Sequence, residues 1–238
     1  MTQVSAAIVL CAGRGARLKP YTNTIPKPLL PMNGRPTLSY ILESLKLSGI
    51  ERVCLVTHYL SEQIERYATE QAFFPQGAIC CAKQPGLAGT ADATLCALEA
   101  CPDWFDGPFL LSASDYIVPR DFYPTLTQAY QREARSIVVS IKRLPDEELA
   151  MRSSVRFNDQ GDVLEIVEKP LPGTAPSRFS ANLVYILPAN IVPMIAAVEP
   201  SPRGEKEVQT AINVHLETNG VAFAVEQPAP VEWQPPAE

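Results

Sequence analysis

The sequence predicts an α/β protein, a three-layer α/β/α, Rossmann-like arrangement around a mixed, mainly parallel sheet. Three observations carry that expectation. Short apolar runs alternate with amphipathic helical stretches from residue 5 to residue 144, the pattern of parallel strands whose connecting helices cover both faces. The first run, SAAIVLC (5–11), is continuously apolar and ends in a glycine-rich turn, as a strand buried on both sides does. After residue 150 the rhythm changes to a hairpin, which brings in strands of the other direction.

Each element follows from its local pattern. TLSYILESLKLSGI (37–50) has apolar residues at helical spacing and stops at Gly49, and RVCLVTH (52–58) reads as the next strand. The alternation continues with a helix over 61–71, a strand over 78–83, a helix over 90–101 and a strand over 108–115. A helix over 121–134 and a strand over 136–144 complete the regular part. SSVRFNDQGDVLEIVEKP (153–170) is read as a hairpin turning at Asp159, Gln160 and Gly161, followed by a strand over 180–188. A helix over 205–220 ends at a glycine, and 221–227 is the last strand. Residues 228–238 hold four prolines and suit a surface tail or an active-site edge. No repeat or linker divides the 238 residues, so one domain over 1–238 is expected.

Composition narrows the function. Hydrophobic content of 46% with 19% charged residues is ordinary for a globular chain. The six cysteines lie in apolar runs without Cys-x-x-Cys or Cys/His ligand spacing, so they read as reduced core residues and not as a disulfide framework or zinc site. The N-terminal apolar run is too short for a signal segment or membrane span, and a cytoplasmic protein with no membrane partner is expected. The formal charge of -6 argues against nucleic acid. Yet Arg14, Arg17, Lys19, Lys27 and Arg35 meet no acid before Glu43, so this segment is cationic within an acidic chain. A small anion is the expected ligand.

The cationic segment is not a Walker A loop, for GxxxxGK[ST] does not occur. Nor is it a dinucleotide fingerprint: Leu18 fills the third glycine position and no acid follows at the required distance. What remains is GxGxRL and a long loop with Lys-Pro. Gly13 and Gly15 let backbone N–H groups approach phosphate oxygens, while Arg17 and Lys27 add charge-assisted contacts. Pro26 and Pro28 fix the backbone around Lys27, reducing the entropy lost when it is ordered.

IVLCAGRGARLKPYTNTIPKPLLPMNGRPTLSYILESL resembles the N-terminal signature of the sugar-1-phosphate nucleotidyltransferases, LAAGxGxRLxPxTxxxPKPLxPxxGRPxL. The resemblance implies the nucleotide-diphospho-sugar transferase fold and a magnesium-dependent enzyme of the EC 2.7.7 class, taking a nucleoside triphosphate and a small phosphorylated acceptor. It implies that Leu10, Ala12, Gly13 and Gly15 wrap the nucleotide phosphates, and that Arg17 and Lys27 hold the triphosphate and stabilise charge at the attacked phosphorus. It leaves room for a homo-oligomer.

Further candidates lie along the chain. In KQPGLAGTADA (83–93), Gln84 has an amide that can donate and accept, which suits the O4/N3 edge of uracil or thymine. Thr90 and Asp92 would equally suit a helix N-terminus. Gln84 with Gly89 and Thr90 resembles the base-reading segment of the family's uridylyl- and thymidylyltransferases, placing UTP or dTTP ahead of CTP or GTP. Asp115 follows FLLSAS at a strand end, where a carboxylate can cap a helix or ligate Mg²⁺. The family has a metal-binding Asp there, usually after Gly; here Ser114 precedes it.

Glu168 and Lys169 stand in the family's EKP string, where the resemblance implies contacts to sugar hydroxyls and phosphate. Asn182 and Ser154 fall in the implied acceptor pocket, Ser154 where relatives often have Gly, so an unusual acceptor is allowed. Aligning PVEWQPPAE with the family's WxDxGTP makes Glu232 or Pro235 the counterpart of the second metal carboxylate, and only Glu232 can ligate. Two rivals stay open: a cytidylyl- or guanylyltransferase for a phosphocholine, phosphonate or cyclitol phosphate, and a catalytically silent nucleotide sensor.

Overall fold

The first strand behaves as its unbroken apolarity requires. In β1 (Ala6–Leu10), Ala6 and Ile8 pack into one core and Ala7 and Val9 into another on the opposite face. This and all that follows comes from a computed structural model that describes residues 3–71, 73–115, 117–132 and 137–228. A small hairpin of β2 (Pro31–Met32) and β3 (Arg35–Pro36) leads into α1 (Thr37–Leu47). Then come β4 (Arg52–Thr57), α2 (Ser61–Glu70), β5 (Ile79–Lys83), α3 (Thr90–Ala100) and β6 (Phe109–Ala113). α4 (Phe122–Arg132), β7 (Ile137–Arg143), α5 (Asp146–Leu149), β8 (Ser153–Phe157) and β9 (Asp162–Glu168) follow. β10 (Phe179–Leu187), α6 (Val192–Ala196), α7 (Val208–Asn219) and β11 (Ala222–Glu226) end the described chain.

Nine strands form one sheet in the order β5-β4-β1-β6-β10-β7-β11-β9-β8. The β5-β4-β1-β6 half is wholly parallel. β10 runs antiparallel between β6 and β7, and β9 runs antiparallel between β11 and β8. The sheet is therefore mixed, as expected, with both antiparallel strands coming from the part of the chain where the rhythm changes. Leu38, Ile41, Leu42 and Leu45 of α1 join Ile64 of α2 and Phe122, Tyr123 and Leu126 of α4 over one face. Ala97 and Leu98 of α3, Ile195 of α6 and Val208, Ala211 and Ile212 of α7 cover the other. Each fully buried Leu or Ile contributes roughly 1.5–3 kcal/mol of transfer free energy, which closes the three layers.

The differences from the sequence reading are local. α7 begins at Val208 and not at 205, because Lys206 is engaged in backbone pairing with the loop before α3. The short elements α5, α6, β2 and β3 are too brief to show a periodicity. No described helix is long and apolar enough to cross a membrane.

Candidate active site

Parallel strands put their carboxyl ends on one edge, and that edge carries a cavity of about 440 Å³. Leu10 ends β1, with Ala12 and Gly13 in the loop that follows; Ala113, Ser114 and Asp115 stand at the end of β6; Gln84 follows β5. Arg17, Lys27, Gly89 and Thr90 complete that part of the lining. The structure thus gathers ten of the residues singled out from sequence around one space: Leu10, Ala12, Gly13, Arg17, Lys27, Gln84, Gly89, Thr90, Ser114 and Asp115.

The cationic loop is built around Gly15. Its φ of 61° is left-handed, and an added Cβ would lie 2.8 Å from Thr22 Cγ2 and 3.2 Å from Lys27 Cβ. Gly15 does not line the cavity. Its carbonyl accepts from Leu18 N at 2.8 Å and Thr22 Oγ1 at 2.9 Å, which closes the single turn that presents Arg17. Gly13 does line it, and a Cβ there would have nothing within 4 Å, so this glycine keeps the space open. Tyr59 donates to the carbonyls of Thr22 and Asn23, and Gln63 to that of Thr24, tying the loop to the start of α2. Lys27 opens a short turn between Pro26 and the buried Pro28. Its Nζ donates to Asp115 Oδ2 at 2.6 Å, with the two side chains 24% and 31% exposed. Cation and carboxylate are therefore both partly desolvated and within reach of a ligand.

Ser114, in the place of the family's usual glycine, donates from Oγ to Leu10 O at 2.7 Å and pins the ends of β1 and β6 together. Gln84 is buried, and its Nε2 donates to Asp92 Oδ2 at 2.8 Å and to Gly89 O at 3.3 Å. A carboxylate partner requires the nitrogen at that position, so the donors are committed and Oε1 alone is left to read a ligand. His58 Nδ1 donates to the Gln84 carbonyl at 2.8 Å, holding the backbone of that residue in place. Gly89 has φ 114° and ψ 179°, and a Cβ there would lie 2.3 Å from Lys206 O. Lys206 N donates to Ala88 O at 2.7 Å, Ala91 N to Lys206 O at 2.9 Å and Val208 N to Thr90 Oγ1 at 2.9 Å. Gly89 and Thr90 thus join the cavity wall to the segment before α7.

A second cavity, about 170 Å³, is lined by Glu168, Asn182, Ser153, Ser180, Lys142 and Gln209 among others. Arg152 and Leu183 line both spaces, so the two adjoin. Asn182 Nδ2 donates to Gln227 Oε1 at 2.8 Å and Ser140 Oγ at 3.4 Å, fixing the wall from behind. The Glu168 carboxyl is raised above its ordinary value by burial first and then by Glu207 and Glu205, against the pull of Lys169 and Arg203. Arg203 bridges Glu168 and Glu207.

Two residues expected on this side lie outside both linings. Ser154 is fully buried and lines neither cavity; its Oγ donates to Ser177 O at 2.8 Å and accepts from Ser177 N at 3.2 Å. Ser153, one residue earlier, lines the smaller cavity instead, since successive strand residues face opposite ways. Lys169 is exposed at φ 46° and lines neither space. Glu232 lies outside the described residues. Sequence reasoning missed Lys142, Arg152, Ser153, Glu205 and Gln209. They come from four separate stretches, and only the strand alternation around Ser153 offered a signal.

The nucleotidyl transferase family model matches residues 6–233. UTP–glucose-1-phosphate uridylyltransferase AglF of Haloferax volcanii is 30% identical over 221 residues, 92% of this chain and 86% of that protein. A UTP–glucose-1-phosphate uridylyltransferase of Synechocystis is 26% identical over 196 residues, covering 79% of this chain. The bifunctional protein GlmU of Methanocaldococcus jannaschii is 30% identical over 210 residues, covering 88% of this chain. The chain spans about half the length of these last two, 50% and 46%. A solved UDP-glucose pyrophosphorylase complexed with UDP-glucose superposes with a TM-score of 0.83 at 22% identity, covering 94% of this chain and 92% of the other, and shares the fold. With its signature loop and sheet edge arranged as described, this chain belongs to the nucleotidyl transferase family.

Proposed function

We propose that the chain transfers a nucleotidyl group from a nucleoside triphosphate, UTP or dTTP in preference, to a sugar 1-phosphate, giving a nucleoside diphosphate sugar and pyrophosphate. The observation that carries this reading is the meeting of Arg17, Lys27 and Asp115 in one cavity that adjoins a second, polar one. The larger space suits the triphosphate and the smaller the acceptor. That two similar proteins are named UTP–glucose-1-phosphate uridylyltransferases supports the same substrate class.

The chemistry follows from charge. An acceptor phosphate oxygen attacks the α-phosphorus in line, the new P–O bond forms, and the bond to the bridging α,β-oxygen breaks with its electron pair leaving on pyrophosphate. A phosphate monoester is already largely ionised near neutral pH, so no strong base is required. Arg17 faces the leaving phosphates. Lys27 is drawn from Asp115 to the α-phosphate and the acceptor phosphate, where preorganised cations lower the barrier. Asp115 fits Mg²⁺, which takes one or two carboxylates together with substrate phosphates, and Glu232 is the proposed second. When bound, the ion neutralises the triphosphate charge.

Base choice rests on Gln84. With its donors used, Oε1 accepts from an imide N–H such as N3–H of uracil or thymine, while the bare N3 of cytosine offers it no proton. Glu168 in the smaller cavity is placed to bond sugar hydroxyls. The six free cysteines suit a reducing, cytoplasmic setting. The test is pyrophosphate release from each common triphosphate with a panel of phosphorylated acceptors. Release with UTP or dTTP and a hexose 1-phosphate is expected. Release only with CTP or GTP and a non-sugar acceptor, or nucleotide binding without release, overturns the assignment in favour of one rival or the other.

A further inference from the structure

The sequence has no Cys-x-x-Cys spacing, yet the fold gathers three of its six cysteines. Cys54 in β4 and Cys80 in β5 are register partners on adjacent parallel strands, and Cys101 is the residue at which α3 stops. Their Sγ atoms all lie within 4.8 Å of one another. Cys54 and Cys101 are buried, while Cys80 sits half-buried on the edge strand of the sheet, which leaves one approach to the group. The surroundings are apolar, with Ala6, Ala97, Leu98 and Phe105 in the same core. Among the described residues no histidine or carboxylate joins the three sulfurs.

We propose that Cys54, Cys80 and Cys101 form a three-thiol binding site for a trivalent thiophile of the arsenite class. A soft centre with bonds to sulfur of about 2.3 Å holds three sulfurs about 4 Å apart or less, so small side-chain adjustments bring these three into range. Charge selects the ion. Three thiolates around a monovalent cation carry a net charge of −2 and around a divalent cation −1, and an uncompensated charge in an apolar site is costly. A trivalent centre leaves the complex neutral. The reaction balances without redox change: arsenous acid and three thiols lose three As–O and three S–H bonds and gain three As–S and three O–H bonds, releasing three waters.

Occupancy would cross-link β4, β5 and α3. Gln84 lies four residues beyond Cys80, and Thr90 opens the helix that Cys101 ends. The bound state therefore braces the wall of the larger cavity from behind and stabilises the fold by mass action.

The test incubates the reduced full chain with sodium arsenite, removes excess by gel filtration and measures arsenic and thermal unfolding. One arsenic per chain and a raised Tm are expected, both lost in Cys80→Ala and Cys101→Ala and kept in Cys96→Ala. Alkylation footprinting of the unmutated chain gives an answer independent of variant folding: arsenite should protect Cys80 and leave Cys96, of similar exposure, reactive. No retained arsenic, or equal protection of Cys96, overturns the site. Zinc alone retained as tightly as arsenite overturns the charge selection.

Discussion

Replacing Gly89 by alanine tests how the nucleotide wall is held. The backbone there, φ 114° and ψ 179°, belongs to a region that only glycine adopts freely, and placing alanine in it costs about 1–3 kcal/mol. The new Cβ would also sit 2.3 Å from Lys206 O and 2.5 Å from Lys206 N, an overlap that backbone must yield to. Yielding opens the Ala88–Lys206 and Ala91–Lys206 hydrogen bonds, at about 1 kcal/mol each. The sum is about 3–5 kcal/mol, or a fall in Tm of roughly 6–20 °C for a chain of this size. Thermal unfolding followed by circular dichroism reads it, alongside UTP titration, where affinity should drop because Gly89 lines the cavity. Gly86→Ala is the control: its Cβ meets nothing within 4 Å, and a change within about 0.5 kcal/mol is expected. A Gly89→Ala variant that melts within about 2 °C of the unmutated protein refutes the close-approach argument.

Other outcomes follow from the same geometry. Lys27→Ala removes the cation paired with Asp115 and should lower kcat for pyrophosphate release by about 10²–10³, with near-normal turnover contradicting its role. Gln84→Glu sets a carboxylate against Asp92 Oδ2 and should weaken UTP binding by about tenfold or more while destabilising the fold by roughly 1–3 kcal/mol, read by calorimetry and urea unfolding. For Glu168 the folded-state carboxyl is raised, so the protonated form is the one the fold favours; that contribution is present below the ordinary value of 4.5 and is lost as pH rises through the raised one. Glu168→Gln should therefore raise Tm at pH 7 and make little difference below pH 4.5, while weakening acceptor binding; a Tm gain that is independent of pH contradicts this.

Much of this was legible in the chain itself, for identifiable reasons. The strand runs around Ile8, Val53 and Leu110 are apolar on both faces, so a doubly covered parallel sheet was readable from local pattern alone. The cationic loop was readable because its residues lie within 17 positions of one another, from Leu10 to Lys27. The insertion of β10 between β6 and β7 was not, since strand order depends on long-range pairing that no local periodicity encodes. Of the smaller cavity, Glu168 and Asn182 were legible from the family strings, while Lys142, Ser153, Ser180 and Gln209 escaped for the same reason: they meet only once β7, β8 and β10 pair and α7 packs. Ser154 was singled out from the family resemblance alone, and it is the adjacent Ser153 that lines the smaller cavity, because strand alternation turns neighbouring residues to opposite faces. Gly89 was expected beside the nucleotide and does line the larger cavity, but its close packing against Lys206, 117 residues away in sequence, was not readable.

In the proposed function the turn at Gly13 and Gly15, with Arg17 and Lys27, grips a magnesium-complexed triphosphate. Calorimetric titration of the unmutated chain with UTP in the presence of magnesium addresses it most directly. Saturable heat with a dissociation constant in the range of about 1 μM to 1 mM, abolished in the Arg17→Ala, Lys27→Ala double variant, is predicted. The absence of heat with UTP, dTTP and every other common nucleoside triphosphate, or binding that the double variant keeps at full strength, contradicts it.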